Sequence, residues 1–343
     1  MTFKILFFIV PAIYLSILNY FQKKYKFCLD QIVKKEEHKI LASTKDSVPL
    51  SGAFFFIPPI VFLNIESEII TLLFCLIFFG IGFLSDLKIL SSPKIRLYLQ
   101  TVTLLIFLFL NKDLILDLRI NFFNSLMLYE TTRILLISFF FLVLINGYNF
   151  IDGVNCLSSL NFFLVLFFYF LLFIQIENDL SHEKIALLLS FFLIFVIFNF
   201  FGKNFLGDSG VYGLSFLFGV MLIEISLLNK NISPYFIANL LWYPAFENLF
   251  SNIRRIIKKE KNYIADNHHL HQLIFKYLMN KKLSLKKSIL SSLTGILINF
   301  YLLISYTIGY FYYQKTNIQI YLILVGVIIY ILTYSVLLKK TKN

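Results

Sequence analysis

Long apolar runs, separated by short charged segments, limit what this chain can fold into more than any other feature of its sequence. Each of eleven runs approaches the roughly 20 residues that a helix needs to cross a bilayer. The runs are continuous and do not alternate polar with apolar residues, which excludes a transmembrane β-barrel. We therefore predict an all-α, polytopic integral membrane protein, a single transmembrane domain over residues 1–343, with about 10–11 membrane-spanning helices. The predicted spans are 3–22, 50–63, 69–84, 97–111, 133–149, 157–176, 184–201, 211–229, 234–251, 288–313 and 318–338.

The composition and the charge agree with this prediction. Hydrophobic residues make up 59% of the chain and charged residues 15%, whereas a soluble domain carries about 25% charged residues. The net charge of +12 comes mostly from basic loops between the spans, so we expect the lipid bilayer, and no nucleic acid, as a partner. The first run follows Lys4 as in a signal peptide, but no small-residue cleavage site follows it. We therefore interpret this run as a retained helix.

The distribution of Lys and Arg predicts the orientation. Seven lysines lie in 23–48 and ten basic residues lie in the long loop 252–287, while 64–68 and 177–183 have none. Basic loops stay in the cytoplasm, which places the N-terminus outside and the C-terminus inside. The segments predicted to be cytoplasmic are 23–48, 85–96, 146–157, 202–210 and 252–287.

Four polar segments interrupt the apolar background, and all four fall on the predicted cytoplasmic side. The first contains Asp86 at the end of a span, followed by Lys88, Lys94 and Arg96. This pattern is also typical of an interfacial Asp that ends a helix beside snorkelling basic side chains. The second, Asn146–Leu157, has Asn149, Asp152 and Asn155 between two apolar spans. A tight turn would need fewer polar residues, so this density favours recognition of a polar ring such as a nucleobase or a sugar.

The third polar segment, Asn199–Gly210, contains Lys203, Phe205 and Asp208. The Asp208 carboxylate is the hard oxygen ligand that Mg²⁺ prefers, and Mg²⁺ is usually held by one or two carboxylates together with substrate phosphates. The alternative is that Asp208 or Ser209 caps the next helix. Both interpretations are compatible.

The fourth segment, Asp266–His271, follows Arg254 and Arg255 in the basic loop. Zinc is a common partner of histidine, but no cysteine or further histidine nearby completes a tetrahedral set. Histidines among basic residues, facing the same compartment as two carboxylates, better suit contacts to a pyrophosphate.

Five motifs resemble, in order, those of the polyprenyl-phosphate N-acetylhexosamine-1-phosphate transferases, the MraY/WecA-like family grouped as glycosyltransferase family 4. Each motif alone is weak, but the ordered set over about residues 45–275 is specific. The motifs are Val48–Gly52, Ser85-Asp86 with Ser92–Arg96, Asn149–Gly153, Phe205–Gly210 and His269–His271. The chain departs from the family pattern at Ser51, Ser85, Cys156, Asn267 and Gln272.

The resemblance implies transfer of an amino-sugar 1-phosphate from a UDP-sugar such as UDP-N-acetylglucosamine to undecaprenyl phosphate, with release of UMP. This reaction starts the synthesis of a cell-envelope polysaccharide, such as cell-wall polymer or the O-antigen of lipopolysaccharide. It further implies a bacterial inner membrane, a cytoplasmic active site, Mg²⁺ or Mn²⁺ as cofactor, and leaves a homodimer open. The expected metal ligands are Asp208 and Asp86, and the expected catalytic residues are Asp86, Asp152, Asp208, His269 and His271.

The resemblance also implies the substrate contacts. Asn149, Asp152, Asn155 and Asn199 would line the uridine pocket with Phe205 stacked on uracil. Arg254 and Arg255, with the two histidines, would contact the pyrophosphate. Lys88, Lys94, Arg96 and Lys203 complete the expected substrate-binding residues.

Ser85 stands where the family usually has the first Asp of a pair, and a serine cannot act as the base that deprotonates the lipid phosphate. A phosphate monoester has a second pKa of about 6, so the lipid phosphate is already ionised at neutral pH and no base is needed. The alternatives are a catalytically inactive paralogue, which Ser85 favours, and a lipid-linked transporter. Transporters place ionisable groups at the bilayer midplane and often carry repeats, whereas here the carboxylates lie at one face and no repeat is evident.

Overall fold

The computed structural model describes residues 2–30, 47–63, 69–112, 114, 117–176, 181–258, 268–281 and 284–342. Within these ranges the chain is almost entirely helical, which confirms the all-α prediction. Among the described residues, a two-stranded ribbon pairs β1 (Leu29–Asp30) with β2 (Val48–Pro49). The helices are α1 (Thr2–Tyr25), α2 (Gly52–Leu63), α3 (Ile69–Asp86), α4 (Pro93–Leu110), α5 (Asn121–Leu128), α6 (Glu130–Ile151), α7 (Ser158–Ile176), α8 (Ser181–Phe200), α9 (Gly207–Leu228), α10 (Pro234–Ile257), α11 (Leu270–Asn280), α12 (Lys287–Phe311) and α13 (Thr316–Lys342).

Nine of the described helices are long and apolar enough to cross a membrane, which fits a multi-pass membrane protein. They are α1, α3, α4, α6, α7, α8, α9, α12 and α13. The other two predicted spans, which correspond to α2 and α10, are not among these nine helices, for separate reasons. Helix α2 has 12 residues, which reach only about 18 Å at 1.5 Å per residue. Helix α10 is long enough but carries polar residues, among them Asn239, Glu247 and Arg254.

Helix α10 nevertheless runs from one end of the bundle to the other. Before its start, Ser233 N donates to Tyr313 O (2.9 Å) in the connection between α12 and α13. Near its other end, Ser251 contacts the His269 ring. Its amides are paired inside the bundle, since Asn239 donates to Gln319 Oε1 (3.2 Å). Such internal pairing is how polar residues are accommodated in a membrane protein.

Close backbone contacts hold the start of α9 against α2 and α3. A Cβ atom at Gly82 would lie 2.3 Å from Asp208 O, and one at Gly52 would lie 2.2 Å from Leu206 O. Only glycine permits such an approach. Because Gly82 lies one turn before Asp86, this packing brings the end of α3 beside the first turn of α9.

The segment Val48–Gly52 supports the loop before α9. Leu50 forms a parallel bridge with Phe205, and Ser51 N donates to Phe205 O (2.9 Å). The Ser51 hydroxyl donates to Asn19 Oδ1 (2.7 Å). The first of the five motifs therefore connects α1 to the loop that carries Phe205.

Arg119 ties three connections together at the opposite end of the bundle. Its guanidinium donates to the carbonyl oxygens of Gln314 (2.8 Å), Lys230 (2.7 Å) and Ile232 (3.2 Å). The short helix α5, which the apolar pattern of the sequence did not reveal, follows directly. The bundle thus has an arginine-clamped end and a second end, called here the site end, where α3 finishes and α9 begins.

Candidate active site

A cavity of about 650 Å³ opens at the site end between α3, α4, α9 and the loops that follow α6 and α8. Eight of the fifteen residues expected to form the site line this cavity. They are Asp86, Lys88, Arg96, Asp152, Asn155, Asn199, Phe205 and Asp208. Three of the four polar segments, distant in sequence, therefore meet in one place.

Asp86 caps helix α9 from the neighbouring helix. Its Oδ1 accepts from Asp208 N (2.9 Å) and its Oδ2 accepts from Ser209 N (3.0 Å). The residue before α9, Leu206, provides no capping side chain, and the first N–H groups of a helix otherwise lack partners. Gly207 has φ +71° and packs against the carboxylate, where a Cβ would lie 2.8 Å from Oδ2. The charge of Asp86 is thereby held at the positive end of the α9 dipole.

Asp208 is bound by a serine and an arginine at the same oxygen. The Ser85 hydroxyl donates to Asp208 Oδ2 (2.6 Å), and Arg96 Nη1 lies 2.5 Å from that atom. Arg96 Nη1 also donates to Ser85 Oγ (2.7 Å) and reaches the Tyr212 hydroxyl (3.4 Å). Asn149 Nδ2 donates to the same hydroxyl (3.3 Å). Position 85 thus places an uncharged donor where a second carboxylate would oppose Asp208.

Asp152 follows the last turn of α6 and faces the cavity. The residue is half-buried, and the Ser158 hydroxyl donates to its carboxyl group. Burial raises the pKa of Asp152 to about 8; the carboxylates of Asp208 and Asp86 also raise it, and the Ser158 hydrogen bond opposes them. Asp152 is therefore mostly protonated at neutral pH and can donate a hydrogen bond into the cavity.

The two histidines lie behind the cavity wall. The rings of His269 and His271 stack with centroids 5.4 Å apart. His271 Nε2 packs against Gly153, where a Cβ would lie 2.6 Å away, and Gly153 lines the cavity. Neither ring nitrogen of His271 has a hydrogen-bond partner among the described residues. Burial lowers the pKa of His271 to about 3, so this ring is neutral.

Asn199 cross-links two loops at the cavity wall. Its Oδ1 accepts from Cys156 N (2.6 Å), and its Nδ2 donates to Asn204 O (2.7 Å). Asn155 N donates to Ser291 Oγ (3.0 Å) on α12. These asparagines shape the cavity by fixing backbone, and their predicted contact with uridine stays a prediction.

Seven expected site residues do not line the cavity: His269, His271, Lys94, Asn149, Lys203, Arg254 and Arg255. Arg254 is buried and donates to His268 O (2.6 Å) and to the Tyr334 hydroxyl (2.8 Å). Lys94 and Lys203 are exposed. Asp266 and Asn267 of the histidine segment lie outside the described residues. The substrate contacts expected of this group stay predictions.

Sequence reasoning missed Glu247, a carboxylate with no exposed surface that lies 2.9 Å from His269 Nδ1. A single acidic residue inside an apolar run is a signal of function in a membrane protein. It also missed Tyr212, one helical turn after Asp208, because tyrosines are frequent in this chain.

The residues at the cavity fit a divalent cation that relies on few protein ligands. The described residues include no cluster of three or more metal-binding side chains. Asp208 nevertheless supplies a carboxylate beside the Ser85 hydroxyl, and each oxygen of Asp86 keeps a second lone pair. Mg²⁺ commonly takes one or two carboxylates and completes its shell with water and phosphate oxygens. A cation at Asp208 Oδ2 would compete with Arg96 for that oxygen.

The chain is thus a helical membrane bundle whose cavity at one end is lined by carboxylates and a guanidinium. The model of glycosyl transferase family 4 matches residues 69–226, from α3 to near the end of α9. This model describes the family of MraY/WecA-like phospho-sugar transferases, and its match confirms the resemblance found in the motifs. The family match supports phospho-sugar transfer as the general class of activity. No curated protein matches the chain.

Proposed function

We propose that this protein transfers N-acetylhexosamine 1-phosphate, or a related amino-sugar 1-phosphate, from a UDP-sugar to undecaprenyl phosphate. The products are the lipid-pyrophosphate sugar and UMP, at the start of a cell-envelope polysaccharide. The observation that carries the proposal is the convergence of Asp86, Asp152, Asp208 and Arg96 on one cavity at the end of a membrane bundle. The particular sugar and the lipid acceptor rest on the family resemblance.

In the proposed reaction an oxygen of the lipid phosphate attacks the β-phosphorus of the UDP-sugar. The bond from that phosphorus to the bridging oxygen breaks, and UMP leaves with the bridging oxygen. Phosphoryl transfer asks little covalent chemistry of a protein, so positioning and charge neutralisation do the work. Arg96 and Lys88 line the cavity and are the cations that would meet the phosphates there.

The carboxyl groups would share the remaining roles. Asp208 would hold Mg²⁺, or Mn²⁺ in its place, with Asp86 as the second ligand. The bound ion would neutralise charge that builds up on the pyrophosphate. Asp152, protonated at neutral pH, would donate a hydrogen bond without adding negative charge. Ser85 is uncharged where the family usually has an aspartate, so it likewise adds no negative charge to a site that would receive two phosphate-bearing substrates.

The bundle also suits a lipid substrate at the cytoplasmic face of a bacterial inner membrane. The polyprenyl tail would stay in the hydrocarbon region while its phosphate enters the cavity at the site end. The basic loops 23–48 and 252–287 are adjacent in sequence to segments that lie at the site end. Basic loops stay in the cytoplasm, which supports an orientation with the site end on the cytoplasmic side.

A transfer assay tests the proposal. Purified protein is mixed with Mg²⁺, undecaprenyl phosphate and a panel of UDP-sugars labelled in the sugar, and both UMP and labelled lipid are measured. We expect equal amounts of the two products with one amino sugar, and neither product from Asp208→Asn or in excess EDTA. UMP without labelled lipid would indicate a hydrolase. No product from any sugar would favour an inactive paralogue or a transporter.

A further inference from the structure

Glu247 on α10 is the centre of a buried polar network. Its Oε1 lies 2.9 Å from His269 Nδ1, and its Oε2 accepts from the Tyr330 hydroxyl (2.8 Å) on α13. Ser251, one turn later on α10, is 3.1 Å from the same His269 nitrogen. Both α10 and α13 lie outside the segment that the family model matches. The network therefore links the histidine segment to two helices that lie beyond the matched segment.

The contact with Glu247 fixes the hydrogen on one nitrogen of His269. A buried carboxylate is stable only when it is paired and hydrogen-bonded. An ionised carboxylate can only accept hydrogen bonds, so His269 Nδ1 must be the donor at 2.9 Å. A histidine whose Nδ1 donates to a carboxylate has a fixed tautomer and a fixed ring orientation.

The oriented ring is in turn packed against the cavity wall. His269 contacts the Phe150 ring (centroids 5.2 Å apart), two residues before Asp152. It also stacks on His271 with planes inclined by 7°. His271 then abuts Gly153. A rotation of the His269 ring would disturb both supports of the loop that carries Asp152 and Gly153 into the cavity.

We infer that Glu247 is a positioning residue for the proposed transfer: it holds the His269–His271 stack, and through it the Asp152–Gly153 loop, in the arrangement that the cavity needs. This inference rests on the proposed function. Glu247 lies outside the cavity lining, so its removal acts on the cavity through the Asp152–Gly153 loop and not through a contact with the substrate.

The test uses Glu247→Gln and Glu247→Asp in the full-length protein. Glu247→Gln keeps the size but loses the charge, whereas Glu247→Asp keeps the charge with a shorter reach. We expect Glu247→Gln to lower kcat about 10–100-fold, the usual effect of removing a partner that orients a functional histidine. KM for the UDP-sugar should change less than kcat does, because Glu247 itself does not line the cavity, and Glu247→Asp should recover part of kcat.

Two further variants serve as controls. Tyr330→Phe removes a hydroxyl from the same carboxylate but leaves the contact with His269, so its effect on kcat should be smaller than that of Glu247→Gln. Glu183→Gln makes the same chemical change at an exposed position in the first turn of α8 and should leave kcat and KM unchanged. Thermal unfolding of every variant identifies any loss of kcat that follows from misfolding.

A spectroscopic measurement gives a result that does not depend on turnover. The chain has five histidines, so ¹⁵N-histidine labelling gives few ring signals, and His269→Gln assigns the one of interest. We expect the hydrogen of His269 on Nδ1 in the wild type and a mixture of tautomers in Glu247→Gln. An unchanged tautomer, or kcat within about threefold of wild type, would overturn the inference. If the wild type had no transferase activity, only the proposed function would be refuted. The ring signals would still test whether Glu247 orients the His269 ring.

Discussion

Replacing Asp86 by Asn separates the capping role of this carboxylate from the chemistry of the cavity. The two carboxylate oxygens accept from Asp208 N and Ser209 N. An asparagine can accept only one of these hydrogen bonds, and its NH₂ group would then face the other N–H. A hydrogen bond to a charged group contributes about 1.5–3 kcal/mol. One such loss shifts the local opening equilibrium of the first turn of α9 about 10–100-fold, since 1.4 kcal/mol is about a factor of ten.

Hydrogen exchange of the two amides measures this shift directly. We expect the Asp208 and Ser209 amides to exchange about 10–100-fold faster in Asp86→Asn, while amides in the middle of α9 keep wild-type rates. Asp208→Asn is the matched control, because it leaves the capping hydrogen bonds in place and should leave exchange unchanged while transfer is lost. Equal exchange in wild type and Asp86→Asn would refute the capping role.

Four other outcomes are expected. Ser85→Ala should retain transfer within about tenfold, because Arg96 still pairs with Asp208. The transfer rate of wild type and variant should rise with pH through the second ionisation of the lipid phosphate, near pH 6. An inactive wild type that gains activity only after the substitution Ser85→Asp would contradict this. The free energy of unfolding should fall as pH rises from about 4 to about 8, because the folded protein keeps the Asp152 proton up to a pKa of about 8 whereas the unfolded chain releases it near 3.9; Asp152→Asn should flatten this dependence in unfolding titrations. Arg119→Ala should lower the free energy of unfolding by about 1–3 kcal/mol, since several carbonyl oxygens lose a charged donor, and thermal unfolding checks it. A cysteine introduced at position 180 should react with a membrane-impermeant thiol reagent in intact cells, whereas one at position 90 should not; the reverse pattern would invert the topology.

The helices could be predicted from the sequence because the bilayer sets their length. Each predicted span lies within a few residues of an observed helix, and the ends differ most where polar residues extend a helix, as at the end of α10. Helix α10 also illustrates the limit of a hydropathy argument. Its polar side chains face other helices, such as Asn248 Nδ2 donating to Val143 O (3.0 Å), and hydropathy does not distinguish a lipid-facing residue from a buried one.

The location of the cavity could be predicted from the sequence, but the hydrogen bonds and ion pairs among its residues could not. Motifs in loops on the same side of the membrane must end near one face, which is why Asp86, Asp152 and Asp208 converge. Their partners depend on how each helix is rotated about its axis and on close approaches such as Gly82 against Asp208. The capping role of Asp86 and the Arg96–Ser85–Asp208 contacts follow from those rotations. The apolar runs carry no hydrophobic periodicity strong enough to fix them.

The cap on α9 has a consequence for biosynthesis. Asp86 and the amide of Asp208 are 122 residues apart. At a translation rate of about 5–20 residues per second, the ribosome needs roughly 6–24 s to add this stretch. During that time α3 is already made while the N–H groups that hold its carboxylate do not exist. The nascent chain must keep Asp86 at the water interface until α9 is inserted, so the cavity can form only after more than half of the protein has left the ribosome.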